Sequence, residues 1–275
     1  MGGLSKKSFF VKGLSADPHT PALLINSGNM LVKKGATDAE MPAARIGAET
    51  IIEATRTMGG KVMGVGDLDL AIGIAQLRSF HQPPGFHLLT LNLVQAGTNK
   101  PLFAPVHWQK AGELNVAILG LTDHSLVASG ESFQVIPWQE CLERAVAEVK
   151  DKADFILLLS NYGLADNQEI ARKVPAIDCI LQAGHVIGNM QPTVVKNTLI
   201  SQTEIRGKYV GLLDIDWNGH GRWRETTSAA SADGAASTYS YRFEALKLSL
   251  RNDPAVEALV KEAQRRLEKM GLPQQ

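Results

Sequence analysis

Residues 23–31 read LLINSGNML, a short apolar run that breaks at Asn26, Ser27, Gly28 and Asn29. The run has the pattern of a buried strand and the break has the pattern of a loop at its carboxyl end. In layered α/β proteins, chemistry is carried by loops just beyond the carboxyl ends of strands. Carboxylates are the expected groups at such a tip, yet the residues here are amides. Asn also suits an ordinary turn, because it tolerates a left-handed backbone.

Outward from this stretch, short apolar runs alternate with helical patterns. The runs are KVMGVG (61–66), HLLTLNLV (87–94), NVAILGL (115–121), DFILLLS (154–160), IDCILQAG (177–184), TVVKNTLIS (193–201) and YVGLLDIDW (209–217). Most are continuously apolar, the signature of strands covered on both faces. Between them, Leu142, Ala145, Val146 and Val149 fall on one face of PWQECLERAVAEVKDKAD (137–154). Ile46, Ala48, Ile51, Ile52 and Thr55 do the same in AARIGAETIIEATRTMGG (43–60). A last helix starts at Asp253-Pro254, a cap and a favoured first position, and stops at Gly271. Its expected buried stripe is Val256, Leu259, Val260, Ala263, Leu267 and Met270. The expected organisation is a main domain over 1–217, a flexible loop over 218–240, and a C-terminal strand and helix over 241–275 packed on the same domain.

The chain has 275 residues, with 44% hydrophobic and 20% charged, enough for a sizeable core. Lys plus Arg (28) balances Asp plus Glu (28), so no basic footprint for nucleic acid exists. No apolar run is long enough to insert in a membrane. Cys141 and Cys179 read as buried small hydrophobes and supply no disulfide framework. The opening MGGLSKKSFFVKGL lacks the apolar core of a signal peptide, so no export signal is expected in this chain.

Familiar mechanisms fail on the residues. GVGDLD has Asp69 where a dinucleotide fingerprint needs its third glycine. No Walker loop, nucleophile elbow or His-Glu-x-x-His helix occurs. TDHS (122–125) contains triad residue types, but neighbours in sequence cannot all face one another. His81 and His87, flanking QPPGF, read as loop residues in a solvated or capping role.

The strand ends in order resemble the calcineurin-like metallophosphoesterases, and within them the N-terminal domain of the 5′-nucleotidase family. The likeness runs from about residue 2 to 217. LLINSGN stands where that family has a strand followed by Asp-Ala-Gly-Asp, and MGGKVMGVGDLDLAIG is similar to its Gly-Asn-His-Glu-Phe-Asp-x-Gly segment, with Gly66 and Gly73 kept. LLTLNLV is similar to a Ser-Ala-Asn-Val strand, with Asn92 as its Asn. DFILLLSNYG resembles a strand ending Leu-Ser-His-x-Gly, and IDCILQAGHV one ending Gly-Gly-His-Thr-His, keeping Gly184 and His185. The resemblance implies a layered α-β-β-α sandwich of two mixed sheets flanked by helices.

It also implies a site in which two divalent metals activate a water and hold a phosphate. Such a site needs several hard or borderline ligands. Here the opening Asp-x-His strand has no counterpart. The bridging aspartate corresponds to Asn29, the asparagine ligand to Asp67, the catalytic histidine to Leu68, and the next histidine ligand to Asn161. Of the last pair His185 remains, and Ile187 replaces its partner. Asp67 and Asp69 are thus vestigial catalytic positions; Asn29, Asn92 and Asn161 are candidate ligand-binding residues; Asp67 and His185 are candidate metal ligands. Asp67 and Asp69 equally suit capping of a following helix.

The expected function is a catalytically degenerate module that binds or scaffolds, with no resident cofactor and another protein or domain as partner. The alternative is a phosphohydrolase with one reconfigured divalent site (Mn, Zn or Mg) and a nucleotide or phosphate ligand. No Cys-x-x-Cys-His occurs, so any haem would belong to a partner or another segment. A third reading takes Trp223, Tyr239, Tyr241 and Phe243 as exposed aromatics that meet a partner. The family resemblance implies a periplasmic or extracytoplasmic location.

Overall fold

The computed structural model describes residues 3–14, 20–81, 85–128, 130, 132–184, 188–204, 207–226 and 236–272. Its helices are α1 (Leu4–Leu14), α2 (Met41–Thr57), α3 (Ile74–Phe80), α4 (Leu142–Val149), α5 (Leu164–Lys173) and α6 (Pro254–Lys269). The strands are β1 (Ile25–Asn26), β2 (Val62–Gly64), β3 (His87–Leu89), β4 (Leu93–Gln95), β5 (Val106–Ala111), β6 (Leu114–Leu121) and β7 (Phe133–Val135). They continue with β8 (Phe155–Ser160), β9 (Cys179–Gln182), β10 (Met190–Val195), β11 (Thr198–Gln202), β12 (Tyr209–Asp216), β13 (Trp223–Glu225) and β14 (Ser237–Ala245).

Strand β8 shows how the layers form. Every residue of FILLLS is buried, and alternate side chains enter different cores. Phe155, Leu157 and Leu159 meet Val62 of β2 and Leu89 of β3. Ile156 and Leu158 meet Leu142 and Val146 of α4 and Ile170 of α5. A third core lies beyond the small sheet, where Met63 and Leu88 pack on Ile52 of α2 and on Leu77 and Phe80 of α3. Each such side chain contributes about 1.5–3 kcal/mol by leaving water. The order is helix, sheet, sheet, helix, as the resemblance implies.

One sheet is β1-β2-β3, all parallel. The other runs β10-β11-β9-β8-β6-β5, with a parallel centre and antiparallel edges. β12-β14-β13 form a further three-stranded sheet and β4-β7 a two-stranded one. The carboxyl ends of β1, β2, β6 and β8 therefore gather at one end of the two facing sheets.

α6 closes on α1 and α2, with Val256 against Val11, Ala54 and Met58, and Leu267 against Ala43 and Ile46. Its cap is Asp253, whose Oδ1 accepts from the N–H of Ala255 (2.9 Å) and Val256 (3.2 Å). The Lys12 ammonium, 2.6 Å away, holds that carboxyl at about 2, helped by the Val256 N–H and the Ser8 hydroxyl. Met270, expected in the buried stripe, is 57% exposed because the helix ends at Lys269 and the chain turns at Gly271.

Two apolar runs break where the sequence pattern runs on. HLLTLNLV divides into β3 and β4 because Asn92 turns inward and binds backbone groups. TVVKNTLIS is the β10–β11 hairpin, turning at Lys196 with φ 55. Part of the stretch expected as a loop is strand: β13 lies inside 218–240 and β14 begins there, while residues 227–235 lie outside the described residues. The aromatics do not form an exposed patch. Trp223 packs on Trp217 (5.4 Å between rings) and Phe155 (6.3 Å), and Tyr239 is buried. Tyr241 and Phe243 are half-buried against each other. Both cysteines are free and buried, and burial pushes the Cys141 thiol up to about 12.

Candidate functional site

The loop after β1 turns on Gly28 (φ 119) and Asn29 (φ 57), both in the region that favours glycine and, among other residues, asparagine. A side chain at Gly28 would press on the backbone of Gly66, so the β1 and β2 loops approach through two glycines. This contact brings Asn29 beside Asp67 and Asp69.

Asp69 is fully buried and anchors the two loops. Its Oδ2 accepts from the N–H of Asn29 (2.7 Å) and Gly66 (2.9 Å), and its Oδ1 from Met30 and Leu31 (2.9 Å each). Burial pushes its carboxyl up to about 6, against the downward pull of those four N–H groups. Saturated and sealed, this vestigial position has no catalytic reach. As the capping expectation has it, Asp67 occupies the cap position of the helical turn that follows and Asp69 stands in its first turn, although Asp67 makes no side-chain cap bond.

Asp67 sits at the centre. Its Oδ1 accepts from Asn29 Nδ2 (3.0 Å) and from Asn161 Nδ2 (3.1 Å). The other end of each amide is also spoken for. Asn29 Oδ1 accepts from the Leu68 N–H (3.0 Å), and Asn161 Oδ1 from the N–H groups of Asp67 (2.9 Å) and Asp123 (3.2 Å). Backbone donors thus fix which way each amide points. Turning either one over would set an NH₂ group against a backbone N–H, stranding a buried donor at about 1–3 kcal/mol.

Three of the five candidate positions described, Asn29, Asp67 and Asn161, meet in this network. Asn92 does not. It is wholly buried, with Oδ1 accepting from the Thr122 N–H (2.9 Å) and Thr90 Oγ1 (3.1 Å), and Nδ2 donating to the carbonyls of Thr122 (2.8 Å) and Ile136 (2.9 Å). All four of these bonds are made within the fold. His185 and Ile187 lie outside the described residues.

The TDHS stretch also stands at this end, and its side chains face different partners. Asp123 Oδ1 accepts from the backbone and hydroxyl of Ser125, while the His124 ring turns to the Tyr162 hydroxyl (2.8 Å). Burial raises the Tyr162 phenol above its ordinary value. Behind Asn161 a buried chain of amides links Ser160, Asn167, Gln182 and Gln202. At the opposite end of the strands, His87 opens β3 and stacks with His107 (4.2 Å), so it is not a loop residue, whereas His81 lies in the loop as the C-cap of α3, with Nδ1 accepting from the Leu88 N–H.

Among the described residues, no group of three or more His, Cys, Asp or Glu side chains is placed to hold a metal. The donor set of the centre argues the same way. A cation needs lone pairs, and the groups converging on Asp67 Oδ1 are two N–H donors. The described residues therefore do not fit a two-metal centre.

No protein-family model matches the chain. It is 32% identical over 145 residues to the uncharacterized metallophosphoesterase YunD of Bacillus subtilis, covering 51% of this chain and 31% of that protein. It is 24% identical over 255 residues to a 5′-nucleotidase of Vibrio cholerae, covering 78% of this chain and 45% of that protein. The chain thus spans less than half the length of either relative. The fold superposes on the sulfate thiohydrolase SoxB of Thermus thermophilus with a TM-score of 0.79 at 19% identity, covering 98% of this chain and 48% of that one. On the calcineurin-like phosphoesterase YfkN of Bacillus subtilis the TM-score is 0.71 at 14% identity, covering 98% and 90%. These superpositions show the fold.

Proposed function

We propose that this chain, a 5′-nucleotidase-like domain with the calcineurin-like metallophosphoesterase fold, is a binding or scaffold module without its relatives' metal-dependent hydrolysis. The observation that supports this reading is the pair of amides, Asn29 and Asn161, whose N–H groups close on Asp67 Oδ1 while backbone donors lock their carbonyls. Where the resemblance puts a bridging carboxylate and a histidine ligand, these residues aim positive hydrogens at the place a cation would take. Leu68, at the position of the catalytic histidine, has no proton to give a leaving group. The names of the relatives make a nucleotide or another phosphate ester the first ligand class to try.

Hydrolysis of nucleoside monophosphates and a chromogenic phosphate ester, with added Mn²⁺, Zn²⁺ or Mg²⁺, tests the reading. Turnover at the rate of metal alone is expected. Metal-dependent turnover that Asp67→Ala abolishes would overturn it. One observation favours the second reading, a single-cation hydrolase: among the described residues no partner binds Asp67 Oδ2, which leaves its lone pairs for a cation. Stoichiometric metal retained by the protein and lost in both Asp67→Ala and His185→Ala would support it.

A further inference from the structure

Helix α1 carries lysines at 6, 7 and 12. Lys6 donates to the carbonyls of Leu248 (3.1 Å) and Leu250 (2.7 Å), and Lys12 pairs with Asp253. These bonds fix the helix against the segment that leads into α6. Lys7 turns instead to the carboxyl end of β1, where its Nζ lies 3.4 Å from Asn26 Oδ1. That distance makes a weak bond, and the acceptor is neutral. No carboxylate among the described residues pairs with this ammonium, although it is partly buried. Loss of water around it lowers its pKa from the usual lysine range.

Asn26 has the complementary deficit. It is 6% exposed, and its Nδ2 is the one buried side-chain nitrogen or oxygen among the described residues without a hydrogen-bond partner. A buried amide hydrogen with no acceptor costs free energy, as does a cation withdrawn from water without a counter-charge. Both unmet donors belong to contacting side chains at the same strand end. One group that satisfies the two together is an oxyanion, which accepts several bonds and neutralises the charge.

We propose that Lys7 and Asn26 form an oxyanion subsite at the carboxyl end of β1, taking a phosphate or carboxylate group. The anion accepts a charge-assisted bond from Lys7 Nζ and a second bond from Asn26 Nδ2. Lys7 leaves the neutral amide oxygen, 3.4 Å away, for the stronger acceptor. Neither residue takes part in the bonds around Asp67, so the inference stands whether or not the neighbouring centre is catalytically inert.

NMR titration of the full chain with inorganic phosphate and, separately, with acetate, at constant ionic strength in chloride, tests the subsite. Saturable shifts of the Asn26 side-chain amide are expected with at least one anion; phosphate alone or both together identify which source the subsite accepts. Lys7→Met should weaken binding about tenfold or more, the loss of one charge-assisted bond, and Lys7→Arg should restore it. Asn26→Asp supplies an internal carboxylate to Lys7 and should weaken binding as much while leaving the protein folded. That variant decides the matter if Lys7→Met fails to fold. Absence of binding by the unaltered protein, or equal binding by Asn26→Asp, would overturn the proposal.

Discussion

Replacing Asp69 by Asn changes one oxygen to an NH₂ group and leaves the volume unchanged. Each carboxylate oxygen now accepts from two backbone N–H groups, Asn29 and Gly66 on one side and Met30 and Leu31 on the other. The amide oxygen can serve only one pair, so either orientation sets NH₂ against two buried donors. At about 1–3 kcal/mol per stranded donor, the loss is about 2–6 kcal/mol. Relief from burying a charge, the cause of the rise to about 6, offsets part of this. The net expected loss is on the order of 3 kcal/mol, a large share of a stability of about 5–15 kcal/mol. Urea unfolding near pH 8 measures it. Hydrogen exchange locates it: the amides of Asn29, Met30, Leu31 and Gly66 should exchange faster in the variant. A loss below about 1 kcal/mol with those four amides still protected would refute the reasoning.

Three further outcomes are expected. Asn92→Leu strands the Thr122 N–H and the carbonyls of Thr122 and Ile136, and should cost about 3 kcal/mol or more in urea unfolding; a near-neutral effect would mean that Asn92 is not a tie. Burial pushes the Asp178 carboxyl up to about 7 against its bond from the Ile156 N–H, so its contribution is present at low pH and lost as pH rises through that value. Asp178→Asn keeps an acceptor and should therefore stabilise by on the order of 2 kcal/mol near pH 8, with little gain near pH 4. Burial first, and the neighbouring His87 second, hold His81 and His107 below the usual histidine range, so their contribution is complete above about 6.5 and falls as pH drops. Between about pH 7.5 and 5.5, His107→Gln should lose less stability than the unaltered protein; parallel losses would contradict this.

The layered fold is legible wherever both faces of a strand are apolar. FILLLS supplies two cores from one hexapeptide, and that pattern needs no distant information. The start of α6 is equally plain, because Asp253 caps through its own neighbours. What eludes the sequence depends on distant partners. Helix α1 buries little more than Ser8 and Val11, and it is held by Asp253, hundreds of residues away. The hairpin at Lys196 turns without glycine, so no punctuation marks it. The site divides along the same line. Strand ends are visible as breaks in apolar runs, and Asn29, Asp67 and Asn161 stand at them. Hydrogen-bond direction is invisible, however: Asp67 and Asn161 are 94 positions apart, and only their geometry shows that the amide faces the carboxylate. For the same reason Asn92 and Asp69 read as site residues although both are spent on backbone groups.

The central claim is that the Asn29 and Asn161 amides, locked by backbone donors, point hydrogens and not lone pairs at Asp67 Oδ1, where the family resemblance implies a metal site. The most direct measurement is NMR of their side-chain NH₂ groups during titration with Mn²⁺, whose unpaired electrons broaden any nearby signal. Both groups should show slow-exchanging, hydrogen-bonded signals that stay sharp in excess Mn²⁺. Selective loss of those two signals at one equivalent, reversed in Asp67→Ala, would contradict the account.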